Sequence, residues 1–348
     1  MSFQKNYIPG ISGLRALSII MVLMSHWGYF HPKGIFFIIN NGAFGVNVFF
    51  VISGFLITTL LMKEEVDSGK ISLRNFYIRR TLRIFPAFYF LLLFYFVLQL
   101  FHVITISVPS WITSLTYTKY FPIKNGNDNY TFHFWSLSIE EHFYLIWPFL
   151  FSYLPGARKK LLIFLACLLP LLRMLFYKYD MFWAYGDYSI FYRGDGIVWG
   201  CIIAFYQHDI VEFFKRNKIL IYLPFVVLLF LLYLDRLNIE SPNKLHLGYF
   251  NLPFGGSIGT FTSICIGLII IITAYFKTFW TSLLNTKPLN YIGKLSYSLY
   301  LYQQIFLLHF KFTMNNQILV FTLFITMALF SYYMIELPFL KLKKRFNV

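Results

Sequence analysis

The sequence predicts an all-α, polytopic membrane protein with about ten transmembrane helices and both termini on the cytoplasmic side. Three observations predict it. Of the 348 residues, 58% are hydrophobic and 13% charged, about half the charged share of an average soluble domain. Windows of about 20 mostly apolar residues, the length a helix needs to cross a bilayer, recur along the whole chain. With the N-terminus inside, 21 of the 30 Lys and Arg residues fall in cytoplasmic flanks and alternate loops, as the positive-inside rule requires. In a soluble chain the net charge of +16 would point to nucleic acid. Here it is topogenic, so the expected surroundings are the lipid bilayer of the inner (plasma) membrane, with no nucleic-acid partner.

Ten spans are read, at about 12–31, 40–62, 84–107, 135–154, 161–177, 190–206, 219–235, 256–276, 289–310 and 317–337. The first, in GLRALSIIMVLMSHWG, lacks a small-residue cleavage site and is expected to be retained rather than removed as a signal peptide. The second carries Gly42, Gly45 and Ser53-Gly54 in GAFGVNVFFVISGFLI, which suit close helix packing. The loop 63–83 begins polar and becomes a basic amphipathic run before Pro86 opens the third span. The longest external stretches are 108–134 and 236–255. Cys167, Cys201 and Cys265 lie singly in separate spans, so neither a disulfide framework nor a metal site is expected. The chain reads as one domain over 8–340, without a separate soluble domain.

Charged and titratable groups inside apolar segments are the functional candidates, because burial at membrane depth is costly and such groups usually face a bundle interior or a wet cavity. Arg15 and His26 lie in the first span, roughly 16 Å apart along a helix axis at ~1.5 Å per residue. One long ligand can touch both. Arg15 opposes the positive end of its helix dipole; it is either an interfacial anchor or an anion-binding group. His26 titrates near neutral pH and can act as general base on a hydroxyl; its bland role is that of a satisfied interior side chain. Arg79, Arg80 and Arg83 form the densest basic cluster, and Arg80 and Arg83 share a helix face. They can bind phosphates bidentately or contact anionic lipid.

The run HFWSLSIEEHFYLIWP opens the fourth span. Ser138 and Glu141 have capping-box spacing, which gives Glu141 a structural role. Glu140 has none and shares a face with Tyr144, so it is the candidate acid. In YRGDGIVWG, Arg193 and Asp195 form either an internal ion pair or a site for a sugar hydroxyl, with Gly194 and Gly196 allowing close backbone approach.

In this order the pieces resemble the acyltransferase-3 family, integral-membrane enzymes that O-acylate bacterial surface carbohydrates. The resemblance covers about 8–340. Its carriers are Arg15 with His26, GVNVFFVISGFLI, Arg80 with Arg83, FWSLSIEEHFYLIWP, RGDGIVWG, GKLSYSLYLY at 293–302 and IELPF at 335–339. It implies ten or more helices, acetyl-CoA or another acyl-CoA as co-substrate with no permanently bound cofactor, and transfer to a hydroxyl of a carbohydrate or lipid-linked glycan. By the same resemblance His26 is the catalytic base or acyl relay and Glu140 the recurring acid. Arg15, Arg80 and Arg83 bind the donor or organise the pore. Two positions depart from the family: Asn47 stands where Asp is common, and Tyr302-Gln303 where Trp-His is common. Many members carry a fused extracytoplasmic hydrolase-like domain, which is not expected within these residues. The rival reading is a transporter or flippase for a lipid-linked glycan using the same charges as a substrate path. A structural or assembly subunit comes third.

Overall fold

The computed structural model describes residues 8–27, 38–120, 130–179, 189–240, 255–310 and 316–346, and every regular element among them is helical. In chain order these are α1 (Ile11–Trp27), α2 (Gly42–Ser68), α3 (Leu73–Leu100), α4 (Val108–Leu115), α5 (Phe134–Tyr153) and α6 (Arg158–Lys178). A single turn, Ile190–Arg193, leads into α7 (Asp195–Phe205), followed by α8 (Gln207–Arg216), α9 (Leu223–Glu240), α10 (Thr260–Tyr275) and α11 (Phe279–Leu284). Next comes α12 (Lys287–Gln304), prolonged by a π-helical turn at Ile305–Phe310. The last is α13 (Gln317–Phe330), joined through a second π-helical turn to α14 (Leu337–Lys343).

A helix occupies each of the ten apolar segments. Four continuous stretches are long and apolar enough to cross a membrane unaided: Gly42–Ser68, Leu73–Leu100, Lys218–Leu237 and Gln317–Phe346. A fifth crossing results if α7 and α8 count as one, bent by 70° where they meet. The bend puts the basic last turn of α8, with Lys215 and Arg216, off the axis of the apolar α7. The protein is an all-helical, multi-pass membrane protein.

The largest departure from the sequence reading is the loop 63–83, which is almost wholly helical. Helix α2 runs on to Ser68 and stops at Gly69, whose left-handed φ of 70° closes the helix with an N–H donated to the Glu65 carbonyl. Only Gly69–Ser72 separate it from α3, where the Ser72 hydroxyl caps the first turn. Pro86 therefore lies inside α3 rather than at its start. The extension is held by charge: the Ser72 N–H donates to Glu64 Oε1 at 2.8 Å, and Glu64 Oε2 pairs with Arg79 at 2.7 Å. A hydropathy window ends a span at the first charges; two helices that pair their charges need not end there.

Helix α2 is the axis of the bundle: 78% of its membrane-length window is buried, against 33% or less for the other three. Small residues set its spacing. A side chain on Gly54 would strike the Ile197 carbonyl of α7, and one on Gly200 the Val51 carbonyl. On the α1 side, a Cβ on Gly45 would stand 2.6 Å from the Ser18 carbonyl. Helix α1 packs in turn on α12, where Gly293 abuts the Ser12 backbone. These close approaches bring Arg15, Ser53 and Ser296 from three helices to one place.

Candidate active site

Four of the predicted residues, Arg15, Arg80, Arg83 and Glu140, line one cavity of about 600 Å³. Its walls come from α1, α2, α3, α5, α12 and α14. On α2 the lining face runs from Val46 through Phe49, Ser53, Leu56 and Leu60 to Lys63 and Asp67. Val46 to Asp67 spans roughly 32 Å at ~1.5 Å per residue, close to the ~30 Å hydrocarbon thickness of a bilayer. Lys63, Glu64, Asp67 and Ser68 occupy one end of this α2 face and Val46, Phe49 and Phe50 the other; Lys343 and Lys344 also line the cavity.

The arginines differ in their partners. Arg79 is held by Glu64 and by the Phe346 carbonyl, to which it donates at 2.8 Å. Among the described residues Arg80 makes no ion pair; its guanidinium lies over the rings of Tyr144, 5.1 Å from the centroid, and Phe76, 5.6 Å away. Arg83 likewise has no carboxylate at salt-bridge distance among the described residues. Arg15 donates from Nε and one terminal nitrogen to Ser296 Oγ, a neutral partner, at 3.2 and 2.8 Å. Three half-buried guanidinium groups thus line one cavity together with Glu140 and Glu141, and none of the three makes a salt bridge among the described residues.

Glu140 is anchored instead of free. Ser53 donates to its Oε1 at 2.8 Å and the Tyr144 hydroxyl lies 3.2 Å from Oε2, one helical turn along α5. The same hydroxyl is 2.9 Å from Ser53 Oγ, which closes a three-membered polar cluster on the cavity wall. Ser53 escaped the sequence reading because it sits in an apolar run whose glycines account for it by packing alone. The capping box is a correction. Helix α5 starts at Phe134, so Ser138 lies inside it, donating to the Phe134 carbonyl at 2.8 Å and accepting the Lys119 N–H at 3.3 Å. Glu141 is free of that role and lines the cavity beside Glu140.

His26 is in the last turn of α1, exposed, and does not line the cavity. Its Nδ1 is 3.0 Å from Gln303 Oε1 on α12. Tyr300, one turn earlier on α12, does line the cavity and forms a tight cluster: its hydroxyl is 2.6 Å from Ser136 Oγ and donates to the His133 carbonyl at 2.8 Å. Tyr300 and Gln303 are three residues apart, roughly 4.5 Å of helix at ~1.5 Å per residue. Gln303, the partner of His26, is thus about one turn of α12 from the cavity-lining Tyr300.

Arg193 and Asp195 are not brought together as the sequence suggested. Asp195, fully buried, pairs with Arg173 of α6 at 2.6 Å and accepts from Thr260 at 2.9 Å. The Arg193 guanidinium lies over the Trp135 ring, 5.4 Å from its centroid. Arg173 was passed over because nothing local marks an arginine in an apolar helix as the partner of an aspartate 22 positions on. Beside this pair, Asn47 donates to Ser263 Oγ at 3.1 Å and to the Ser257 carbonyl at 3.3 Å. The Ser257 N–H donates to Asp235 at 3.0 Å. Among the described residues no three His, Cys, Asp or Glu side chains are grouped as metal ligands.

The family profile described as an acyltransferase domain, acyltransferase-3, matches residues 8–336. An O-acetyltransferase OatA of Staphylococcus aureus is 29% identical over 97% of this chain and 58% of its own. The peptidoglycan O-acetyltransferase OatA of Listeria monocytogenes is 28% identical over 86% of this chain and 49% of its own. A Staphylococcus aureus (strain COL) protein, named provisionally as an O-acetyltransferase, is 31% identical over 96% of this chain and 58% of its own. The chain thus spans about half to three fifths of the length of these curated relatives. No solved structure matches it at a significant level. By the extent of the profile match and the ordered motifs that carry it, this chain belongs to the acyltransferase-3 family.

Proposed function

We propose that the chain is a membrane O-acetyltransferase that moves an acyl group from acyl-CoA to a hydroxyl of a cell-envelope carbohydrate. The observation that carries this reading is the set of guanidinium groups, Arg15, Arg80 and Arg83, that line one cavity and, among the described residues, make no salt bridge there. Coenzyme A is long and polyanionic. Its phosphates suit the arginines and the Lys343–Lys344 wall, and its pantetheine arm suits the apolar stretch along α2. In this reading the ten helical segments cross the plasma membrane with both termini inside, and the charged end of the cavity opens to the cytoplasm.

In this reading His26, which is tied to α12 rather than lining the cavity, takes the proton of the acceptor hydroxyl through Nε2. The oxygen attacks the thioester carbonyl, the C–S bond breaks, and the departing sulfur takes up the proton to leave as the free thiol of CoA. An acyl-histidine preceding attack by the hydroxyl uses the same groups. Glu140, held by Ser53 and Tyr144, fixes the field between the arginines and the reacting end. The Listeria relative is named for peptidoglycan; for this chain we propose the wider class, an envelope glycan.

The test is thiol release from acetyl-CoA by the purified chain, together with calorimetric binding of CoA. Acyl-CoA turnover and CoA binding that weakens with Arg80→Gln support the reading. A chain that neither binds CoA nor cleaves the thioester overturns the reading.

A further inference from the structure

We infer that Gln303 is the positioning residue that holds His26 in its reactive tautomer. Gln303 lies in the last regular turn of α12 and is fully buried. Its Oε1 is 3.0 Å from His26 Nδ1. An amide oxygen can only accept, so Nδ1 carries the hydrogen and Nε2 keeps its lone pair, the arrangement a general base or nucleophile needs. The ring of an exposed histidine at a helix end is otherwise free to rotate, and this contact ties it to a rigid neighbouring helix 277 positions away in sequence.

Among the described residues the buried amide nitrogen of Gln303 makes no hydrogen bond, so the imidazole is the polar partner of this side chain. A position chosen for packing alone would gain from an apolar residue, because a buried polar group without a partner is destabilising. A neutral amide also orients the ring without placing a second charge among the apolar neighbours Leu301, Tyr302 and Ile305, all fully buried.

This inference rests on His26 being the reacting group, and the test separates the two. Thiol release from acetyl-CoA is followed in membranes of the native organism carrying each variant of the full chain, since those membranes supply the acceptor. Calorimetry with acetyl-CoA on purified variants reports donor binding. Gln303→Met keeps length and removes the hydrogen bond; its kcat should fall by about 10–100-fold, the usual effect of losing an orienting partner, with donor affinity unchanged. Gln303→Glu keeps the shape and can accept from Nδ1–H, so it should recover activity to within a few-fold of wild type. Wild-type turnover in Gln303→Met overturns the inference, as does a Gln303→Glu variant that binds acetyl-CoA normally yet is inactive. If Gln303→Met fails to fold, Gln303→Glu decides alone. His26→Ala run in parallel tests the underlying reading: turnover without the imidazole removes that reading whatever Gln303 does.

Discussion

The two faces of α2 treat charge in opposite ways. Toward α6, α7 and α10, the buried Arg173 and Asp195 meet at 2.6 Å, Thr260 satisfies the second carboxylate oxygen, and Asn47 is tied to Ser263 and the Ser257 carbonyl. Toward α1, α3 and α5, Arg80 and Arg83 line a cavity shared with Glu140 and Glu141 but make no salt bridge among the described residues, and Arg15 donates to Ser296. The first face pairs its buried charges directly; on the second, arginines and acids line a shared cavity, and Arg15, Arg80 and Arg83 form no salt bridge among the described residues. An intramembrane charge is thus a weak sign of function until its partner is known, and a strong one when the partner is missing and space is provided.

The largest effect expected is at the end of the open face. His26→Ala should lower acyl transfer by about 10²–10⁴-fold, the contribution of a positioned acid–base group, while the protein accumulates normally in membranes. Mass spectrometry of envelope glycans in a deletion strain complemented at matched levels reads this out. Normal acylation would move the chemistry away from α1.

On the closed face the damage should be to the fold. Asp195→Asn leaves Arg173 buried without its anion, a change that costs about 3–5 kcal/mol. It should show as lost membrane protein and a lowered unfolding temperature in detergent. The double variant Arg173→Leu with Asp195→Leu removes both charges and should recover much of that loss. A stable Asp195→Asn protein that cannot acylate would erase the contrast between the two faces.

Arg80→Gln and Arg83→Gln should do the reverse, keeping membrane levels and thermal stability while weakening acetyl-CoA binding by about tenfold or more each, as expected for a lost charge-assisted hydrogen bond. Arg80→Lys should be intermediate, because a point charge survives without the planar fork. Unchanged affinity in all three would make the cluster topogenic.

The smallest effects separate two adjacent acids. Glu140→Gln breaks the charged anchor of Ser53 and Tyr144 and should cost several-fold in turnover. Among the described residues Glu141 has no such hydrogen bonds, and Glu141→Gln should cost less. Matched assays at equal protein level test the order; if Glu141→Gln is the worse variant, Glu141 and not Glu140 is the acid the cavity uses.

Much of the open face was legible. Arg15, Arg80, Arg83 and Glu140 stand out because each breaks an apolar pattern, and pattern breaks are local. What was misread was misread for lack of a partner. Ser138–Glu141 has capping-box spacing, but spacing does not say where the helix starts, and packing of Phe134 and Trp135 against the core moved the start upstream. Arg193 is the cation nearest Asp195 in sequence, yet Arg173 is the one that pairs with it.

By itself the sequence determined the all-helical membrane class, the ten apolar segments and the family, because hydropathy, charge alternation and ordered motifs are properties of the chain read in one dimension. The tertiary structure alone decided which charges are compensated, that His26 stands beside the cavity rather than in it, and that Gln303 grips its ring. Those facts depend on side chains up to 281 positions apart meeting across glycine-lined helix contacts. No local pattern encodes such a meeting, since it exists only once the helices have packed.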